Sequence, residues 1–282
     1  MMIEIDNLKS RIAINPDGKR VYLISLHADD LPVITDYLDK ISASYGLTKI
    51  FVKVRSKFNP LFCQSGYTME AFVPGYYNGQ EDAFFMAKYF DDERRLPEKE
   101  ALRLFQEMLI KAIGKDIKQI KPPKTLYKVR LLNENHAEEI TSIFKCVFKT
   151  YPFPVFDSQY LIQTMQEGTR YYGIFQKNEL IAVSSAECDE RHQSAEMTDF
   201  AVLPAFRGKR LALVMLDHME RDLYNLGYIA LFTIARLHEL SMNKTFLNAG
   251  YNYSGTLTKN TQIAGKIESM NVWYKHLIIM DK

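Results

Sequence analysis

The chain has 282 residues, of which 47% are hydrophobic, enough for two domains that each bury a core. Lysine and arginine total 36 against 34 acidic residues, so charge alone indicates neither a nucleic-acid partner nor a membrane partner. No apolar run approaches the ~20 residues that a membrane span needs. The N-terminus also lacks the apolar segment of a signal peptide, and we therefore expect a cytoplasmic protein.

Cysteine usage gives no sign of a disulfide framework or of a metal site. Cys63, Cys146 and Cys188 are far apart, odd in number and outside any CxxC or Cys/His cluster. We expect reduced thiols and no bound metal.

The first part of the chain, residues 1–113, has the pattern of a small α/β domain. An apolar stripe predicts a helix over 30–45, followed by a short strand over 50–54. A second amphipathic pattern predicts a helix over 97–114. Residues 114–125, GKDIKQIKPPKT, are rich in lysine and contain two consecutive prolines, which predicts a linker.

Residues 126–282 form the second predicted domain. The predicted elements are strands at 127–132, 171–175, 180–185, 197–202 and 229–235, helices at 137–149, 158–168, 208–226 and 241–249, and two final strands. The helix over 208–226 has the clearest apolar period, and Gly227 occupies the position of a C-cap glycine.

The two halves of the chain share a weak internal repeat. Phe62 lies four residues before Gly66-Tyr67, and Phe246 lies four residues before Gly250-Tyr251, each after a strand. We expect the N-terminal domain to be related to part of the C-terminal one, with chance similarity as the alternative. The first copy has no phosphate-binding turn, so we assign it no catalysis.

A basic turn directly precedes the long helix, in the segment AVLPAFRGKRLA at 201–212. The first amides of a helix lack intrahelical acceptors and lie at the positive end of its dipole, so they bind a diphosphate well. Arg207, Lys209 and Arg210 add three positive charges, and Gly208 permits close backbone approach. An ordinary strand-to-helix turn with solvated basic residues is the alternative.

This turn resembles the acetyl-CoA signature of the GNAT superfamily, (Gln/Arg)-x-x-Gly-x-(Gly/Ala), with Arg207 first and Ala212 last. Arg210 stands where the signature has its second glycine. Because a positive φ would strain an arginine, we expect Arg210 to be helical. The order of elements from residue 126 also resembles the superfamily, which implies an α/β (α+β) fold with a mixed, mostly antiparallel sheet flanked by helices.

The same resemblance implies that acetyl-CoA is the cosubstrate. The residues expected at its diphosphate are Arg207, Gly208, Lys209, Arg210, Leu211 and Ala212. The main chain of Phe200, Ala201 and Val202 is expected to hold the pantetheine arm, with the Val202 N–H donating to the oxyanion.

A closer resemblance extends over several stretches, among them AEMTDFAVLPAFRGK, KIESMNVWYK and EAFVPGYYNGQEDAFFMAKYF. They are similar to those of bacterial and archaeal β-lysine N-acetyltransferases. This implies direct acetyl transfer, in a ternary complex, to the N6 amine of a small molecule, β-lysine, with the product serving as a compatible solute. The alternatives are another small amine (a polyamine or aminoglycoside), a protein amine, or a non-catalytic acetyl-CoA-binding protein. A homodimer is one option for the assembly.

An alkyl ammonium must lose a proton before it attacks a thioester, which calls for a carboxylate base. Glu196 is the first candidate, because the resemblance places a catalytic glutamate eleven residues before Arg207. Asp199 is the alternative. In a regular strand the two side chains face opposite sides, so only one should reach the cleft unless a bulge intervenes.

The superfamily's usual tyrosine acid corresponds here to Phe246, which has no proton to donate. Tyr251, Tyr253 and Tyr151 are the candidates to replace it, with help from water as the alternative.

The acceptor pocket needs charges of both signs. Arg236 is expected to bind the acceptor's carboxylate. The candidates for its second amine are Glu187, Asp189 and Glu268. Tyr151 and Phe153 are expected to form a wall of the pocket.

Overall fold

The structure is a computed structural model that describes residues 8–113, 127–263 and 265–277. The predicted linker, 114–125, lies outside the described residues. The elements before it are β1 (Arg11–Asn15), β2 (Arg20–Ser25), α1 (Ile34–Ser44), β3 (Lys49–Arg55), α2 (Asn59–Gln64), β4 (Thr68–Tyr77), β5 (Glu81–Tyr89) and α3 (Lys99–Ile113). The elements after it are β6 (Val129–Leu131), α4 (Ala137–Val147), α5 (Ser158–Gln166), β7 (Arg170–Gln176), β8 (Glu179–Asp189), β9 (Ser194–Val202), α6 (Leu211–Asn225), β10 (Ala230–Arg236), α7 (Leu240–Asn248), β11 (Asn252–Ile263) and β12 (Lys266–His276).

The second half of the chain forms a seven-stranded sheet in the order β11-β12-β10-β9-β8-β7-β6. Its described neighbours pair antiparallel, except for β9 and β10, which are parallel and are connected by α6. One apolar side of α6, including Leu216, Met219 and Leu223, packs against this sheet. The mixed, mostly antiparallel sheet flanked by helices that the sequence predicted is confirmed.

The first half forms a five-stranded sheet in the order β1-β2-β3-β5-β4. Its pairings are antiparallel, parallel, antiparallel and antiparallel, the same succession as in β8-β9-β10-β12-β11. The repeated aromatic pairs also correspond. The rings of Phe62 and Tyr67 meet edge to face at 5.1 Å, and those of Phe246 and Tyr251 at 5.2 Å. The five-stranded sheet therefore repeats the topology of the larger part of the seven-stranded one.

The two sheets pack on each other through a shared apolar core. Phe85 on β5 stacks on Phe51 at a ring separation of 5.9 Å and meets Phe232 of β10 at 6.1 Å. Strands β4 and β11 approach so closely that a Cβ on Gly255 would lie 1.9 Å from the main-chain oxygen of Glu70. The packing joins the two halves tightly enough for both to line one cavity.

The largest differences from the predicted helix boundaries lie at the start of two helices. The predicted helix 30–45 is observed as α1 at Ile34–Ser44, after a short 3-10 turn at Ala28–Asp30. The predicted helix 208–226 begins instead at Leu211. Within the described residues, no helix is both long and apolar enough to cross a membrane.

Candidate active site

The parallel strands β9 and β10 separate part-way along their length. Their register pairs Ala230 with Ser194, Leu231 with Ala195 and Phe232 with Glu196, and the described pairing ends there. Each strand continues beyond that point, β9 to Val202 and β10 to Arg236. The divergence opens a groove beside the main chain of Phe200, Ala201 and Val202, the three residues predicted to hold the pantetheine arm.

The basic turn leads from β9 into α6. The first described bond of the helix runs from the Val214 N–H to the Arg210 carbonyl, so the amides of Leu211, Ala212 and Leu213 precede it. Such amides have no acceptor in their own helix and lie at its positive end. They can therefore bind an anion that enters the groove.

The prediction that Arg210 is helical is wrong. Arg210 is the N-cap of α6 and has left-handed backbone angles, φ 58° and ψ 31°. A left-handed backbone costs a residue with a Cβ about 1–2 kcal/mol, which explains why the signature has glycine at this position. Gly208, two residues earlier, also has a positive φ, of 79°. The chain thus uses two left-handed residues to turn into α6, and one of them is an arginine.

The cations of this turn surround the helix N-terminus. Arg207, Lys209 and Arg210 are all exposed. The Arg207 Nε donates to the Val202 carbonyl at 3.3 Å, and the Lys209 Nζ lies 5.0 Å from the centre of the Phe206 ring. Three cations, free amides and an open backbone at Gly208 together fit a diphosphate.

Two glutamates lie opposite each other where β9 and β10 begin to diverge. Glu187 on β8 pairs in register with Glu196 on β9. Burial raises the pKa of Glu196, and the charge on Glu187 raises it further. Partial desolvation inside the cavity and the charge on Asp199 also raise the pKa of Glu187, although its side chain keeps contact with solvent there. Of the two glutamates, the half-buried Glu196 therefore has the more strongly raised pKa.

Asp199 reaches the same group of carboxylates through a bulge in β9. Its φ is 55°, and the register between β8 and β9 shifts at this point. Asp199 accepts a hydrogen bond from the Ser185 Oγ at 2.5 Å and another from the Tyr151 hydroxyl. Burial raises the pKa of Asp199 in spite of these bonds. The opposite orientations expected of a regular strand do not apply here, because the bulge adds one residue.

The cavity beside these carboxylates lies between the two sheets and has a volume of about 600 Å³. The seven-stranded sheet contributes Glu187, Glu196 and Phe232, and the five-stranded sheet contributes Lys53 and Tyr76. Neither Lys53 nor Tyr76 is predictable as a site residue from sequence, since their position in the cavity depends on how the sheets pack.

Arg236 and Glu268, predicted to bind the carboxylate and the second amine of the acceptor, instead bind each other. The Arg236 Nε and Nη2 donate to the two carboxylate oxygens of Glu268 at 2.7 and 2.8 Å. Neither residue lines the cavity. Their contact with substrate stays a prediction, and it requires this pair to open.

Phe246 and two of the tyrosines that are candidates to replace it as the general acid make other contacts. Phe246 is buried, with its ring edge to face against Phe200 at 5.6 Å. Tyr251 is also buried, and burial raises its pKa well above the usual value. The Tyr253 hydroxyl bonds the Thr256 hydroxyl at 2.6 Å. Across the described ranges, no cluster of three or more histidines, cysteines or carboxylates is arranged to bind a metal.

Comparison with known proteins agrees with this geometry. Residues 137–246 match the family model described as the acetyltransferase (GNAT) family. The chain is an acetyl-CoA-dependent N-acetyltransferase with a GNAT fold in its second half.

A β-lysine N6-acetyltransferase of Methanococcus maripaludis is 36% identical over 97% of this chain and 98% of its own. The N-acetyltransferase YodP of Bacillus subtilis is 31% identical over 81% of this chain and 82% of its own. A β-lysine N6-acetyltransferase of Methanosarcina mazei is 25% identical over 81% of this chain and 90% of its own. The chain belongs to this family of β-lysine N6-acetyltransferases, and the similarity includes the five-stranded sheet.

Proposed function

We propose that the protein transfers the acetyl group of acetyl-CoA to the N6 amine of β-lysine, 3,6-diaminohexanoate. The position of Glu196 carries the chemical part of this proposal. It lies where β9 and β10 diverge, with a raised pKa and with a cavity beside it. The identity of the acceptor is supported by the similarity to relatives of that name over nearly the whole chain.

The proposed reaction begins with removal of a proton from the acceptor ammonium. An alkyl ammonium has a pKa of about 10.4, and a base with a raised pKa accepts its proton more readily than an ordinary carboxylate does. Glu196 takes this proton directly or through a water molecule. Asp199 already accepts hydrogen bonds from three hydroxyl groups, so it is less free to act as the base.

The neutral amine then attacks the thioester carbonyl while both substrates are bound. The main-chain N–H of Val202 donates to the oxygen that becomes negative, and the turn at 207–212 holds the diphosphate. The C–S bond breaks as the amide forms, and the thiolate takes up a proton. A thiol pKa of ~8.5 lets the thiolate leave with a proton from water, which suits a site where Phe246 replaces the usual tyrosine.

The product, N6-acetyl-β-lysine, carries fewer charges than its precursor, which suits a proposed role as a compatible solute in the cytoplasm. A rise in its cellular level at high salt, abolished when this gene is deleted, would support that role. An unchanged level in the deletion strain would rule it out.

The acceptor is tested by incubating the purified protein with acetyl-CoA and, separately, β-lysine, α-lysine, spermidine and an aminoglycoside. Release of CoA thiol measures turnover, and NMR of the product locates the acetyl group. We expect β-lysine to give the highest kcat/KM, with acetylation at N6. Higher kcat/KM for another amine would reassign the acceptor, and acetyl-CoA binding without turnover on any amine would favour a non-catalytic protein.

A further inference from the structure

The cation Lys53 is the one charged group that the five-stranded sheet contributes to the cavity among its described lining residues. It lies on β3, and its Nζ donates to the Tyr76 hydroxyl at 2.8 Å. The same Nζ is 4.7 Å from the centre of the Tyr76 ring and 6.0 Å from that of Phe232. The side chain is therefore fixed by aromatic groups from both sheets.

Lys53 has no carboxylate partner of its own within the described part of the chain. No aspartate or glutamate oxygen there lies within 4.0 Å of its Nζ. By contrast, the nearby Lys49 bonds Glu70 at 2.8 Å. An ammonium has three donors, and the Tyr76 hydroxyl accepts one of them. Lys53 therefore keeps donors for a bound molecule.

The opposite wall of the cavity is acidic. Glu187 and Glu196 line it, and the charge of Lys53 lowers the pKa of both. The charge of Lys53 thus acts on both carboxylates, although its Nζ forms an ion pair with neither of them. A molecule bound in this cavity meets carboxylates from the seven-stranded sheet and an ammonium group from the five-stranded sheet.

This separation of charge matches an amino acid better than a simple diamine. The ammonium of the acceptor is attracted to the glutamates, and a carboxylate at its other end is attracted to Lys53. A diamine without a carboxylate would leave a partly buried cation unpaired and would add to the positive charge near it.

We propose that Lys53, rather than the Arg236 that is paired with Glu268, binds the carboxylate of the acceptor and so makes the enzyme select an amino acid over a simple diamine. This inference rests on the proposed function and gives the five-stranded sheet a direct part in substrate selection. Tyr76 is a positioning residue, because its hydroxyl and ring hold the Lys53 ammonium.

The test compares β-lysine with its carboxamide, in which the charged group is replaced by a neutral one of similar shape. With the wild-type enzyme, we expect the carboxamide to have a kcat/KM about 10- to 100-fold lower than β-lysine. Lys53→Met should lower kcat/KM for β-lysine by a similar factor relative to the carboxamide, mainly through KM. Lys53→Arg, which keeps the charge, should restore most of the preference for β-lysine.

The ratio of the two kcat/KM values at one pH removes any effect of Lys53 on the protonation of the glutamates, because that effect is common to both substrates. Arg191→Met is the matched control, since Arg191 is an exposed cation lining the same cavity. Arg191→Met should leave the ratio of kcat/KM for β-lysine to that for the carboxamide unchanged. A fall of this ratio to about one would show that Arg191, and not Lys53, binds the carboxylate.

Equal use of β-lysine and its carboxamide by the wild-type enzyme would overturn the inference without any variant, so a misfolded Lys53→Met protein does not block the test. A Lys53→Met enzyme that keeps the wild-type ratio would also overturn it. If the wild-type enzyme acetylates a different amine and not β-lysine, the proposed function fails instead, which is a separate result.

Discussion

Glu187 and Glu196 lie directly opposite each other on neighbouring antiparallel strands, at the level where the parallel pair β9–β10 comes apart. Like charges in such a cross-strand position repel each other. The charge on Glu187 therefore raises the pKa of Glu196 beyond the effect of burial. The sheet thus places a carboxylate of increased proton affinity, the proposed base, where the groove begins.

Replacing Glu196 by glutamine should remove the base while keeping the shape of the side chain. We expect kcat to fall by about 10²- to 10⁴-fold, the usual contribution of a general base. The dissociation constant of acetyl-CoA should change little, because the basic turn proposed to bind its diphosphate begins eleven residues later, at Arg207. Turnover is measured by thiol release and affinity by calorimetry. Wild-type turnover from pH 6 to pH 10 would exclude Glu196 as the base.

The same variant should also alter stability in a pH-dependent way. The raised pKa of Glu196 means that the folded state keeps its proton as the pH rises through the ordinary glutamate range, where the unfolded state loses it. Stability attributable to this group is therefore lost as pH rises toward the folded pKa. We expect Glu196→Gln to melt at a higher temperature than wild type at pH 8 and at nearly the same temperature at pH 4. If the variant and the wild-type protein had the same Tm at pH 8 as well as at pH 4, this would argue against a raised pKa of Glu196.

Removing the neighbouring charge should shift the pH dependence of the reaction. In Glu187→Gln, Glu196 loses a repulsive partner, so its pKa should fall, although burial still raises it. A base works when deprotonated, and the acidic limb of the profile of kcat/KM against pH should therefore move to lower pH. Glu190→Gln, which removes an exposed carboxylate from the same cavity, should leave the limb in place. A shift to higher pH in Glu187→Gln would contradict this view of the pair.

Two substitutions separate the effect of the left-handed backbone at Arg210 from the effect of its charge. Arg210→Gly should relieve the strain and raise the free energy of unfolding by up to about 1 kcal/mol, less the entropy that glycine gains on unfolding. Arg210→Ala keeps the strained backbone. Both variants lose the charge, and both should bind acetyl-CoA several-fold more weakly than wild type. Urea unfolding and calorimetry measure the two effects, and a glycine variant less stable than the alanine variant would be inconsistent with the observed φ of 58°.

The close approach of β4 and β11 should not tolerate a side chain at Gly255. An added Cβ would lie 1.9 Å from the Glu70 oxygen and 3.0 Å from the Ala71 Cα, both of which are main-chain atoms. Because the main chain cannot rotate away, Gly255→Ala should destabilise the protein by about 1–3 kcal/mol. In Gly18→Ala, the control, the nearest atoms belong to the Asn15 side chain, which can move. A wild-type free energy of unfolding in Gly255→Ala would contradict the observed packing.

The sequence predicted the second half of the fold well, because its elements have clear local signals. The apolar period of α6 and the strand before it lie within three residues of their predicted bounds. Two local features were not predictable in this way. The left-handed backbone of Arg210 depends on how the chain turns into α6, and the bulge at Asp199 depends on how β9 pairs with β8. The amino-acid pattern carries no direct sign of either feature.

The first half was predicted less completely. Strands β1, β2, β4 and β5 were missed, and β4 contains Pro74 and Gly75, which obscure its pattern. Lys53 falls within a predicted strand, but its place in the cavity depends on the packing of two sheets that are distant in sequence. The domain bounds at 113 and 126 stay predictions.

The repeated topology has a consequence for how this enzyme can specialise. In a symmetric homodimer, any substitution appears on both faces of the interface, because each subunit presents the same surface to the other. Here the two matching sheets belong to one polypeptide, so each can change alone. A lysine can be introduced on one sheet while the other keeps its glutamates, and the resulting polarity along a single cleft is unavailable to two identical subunits.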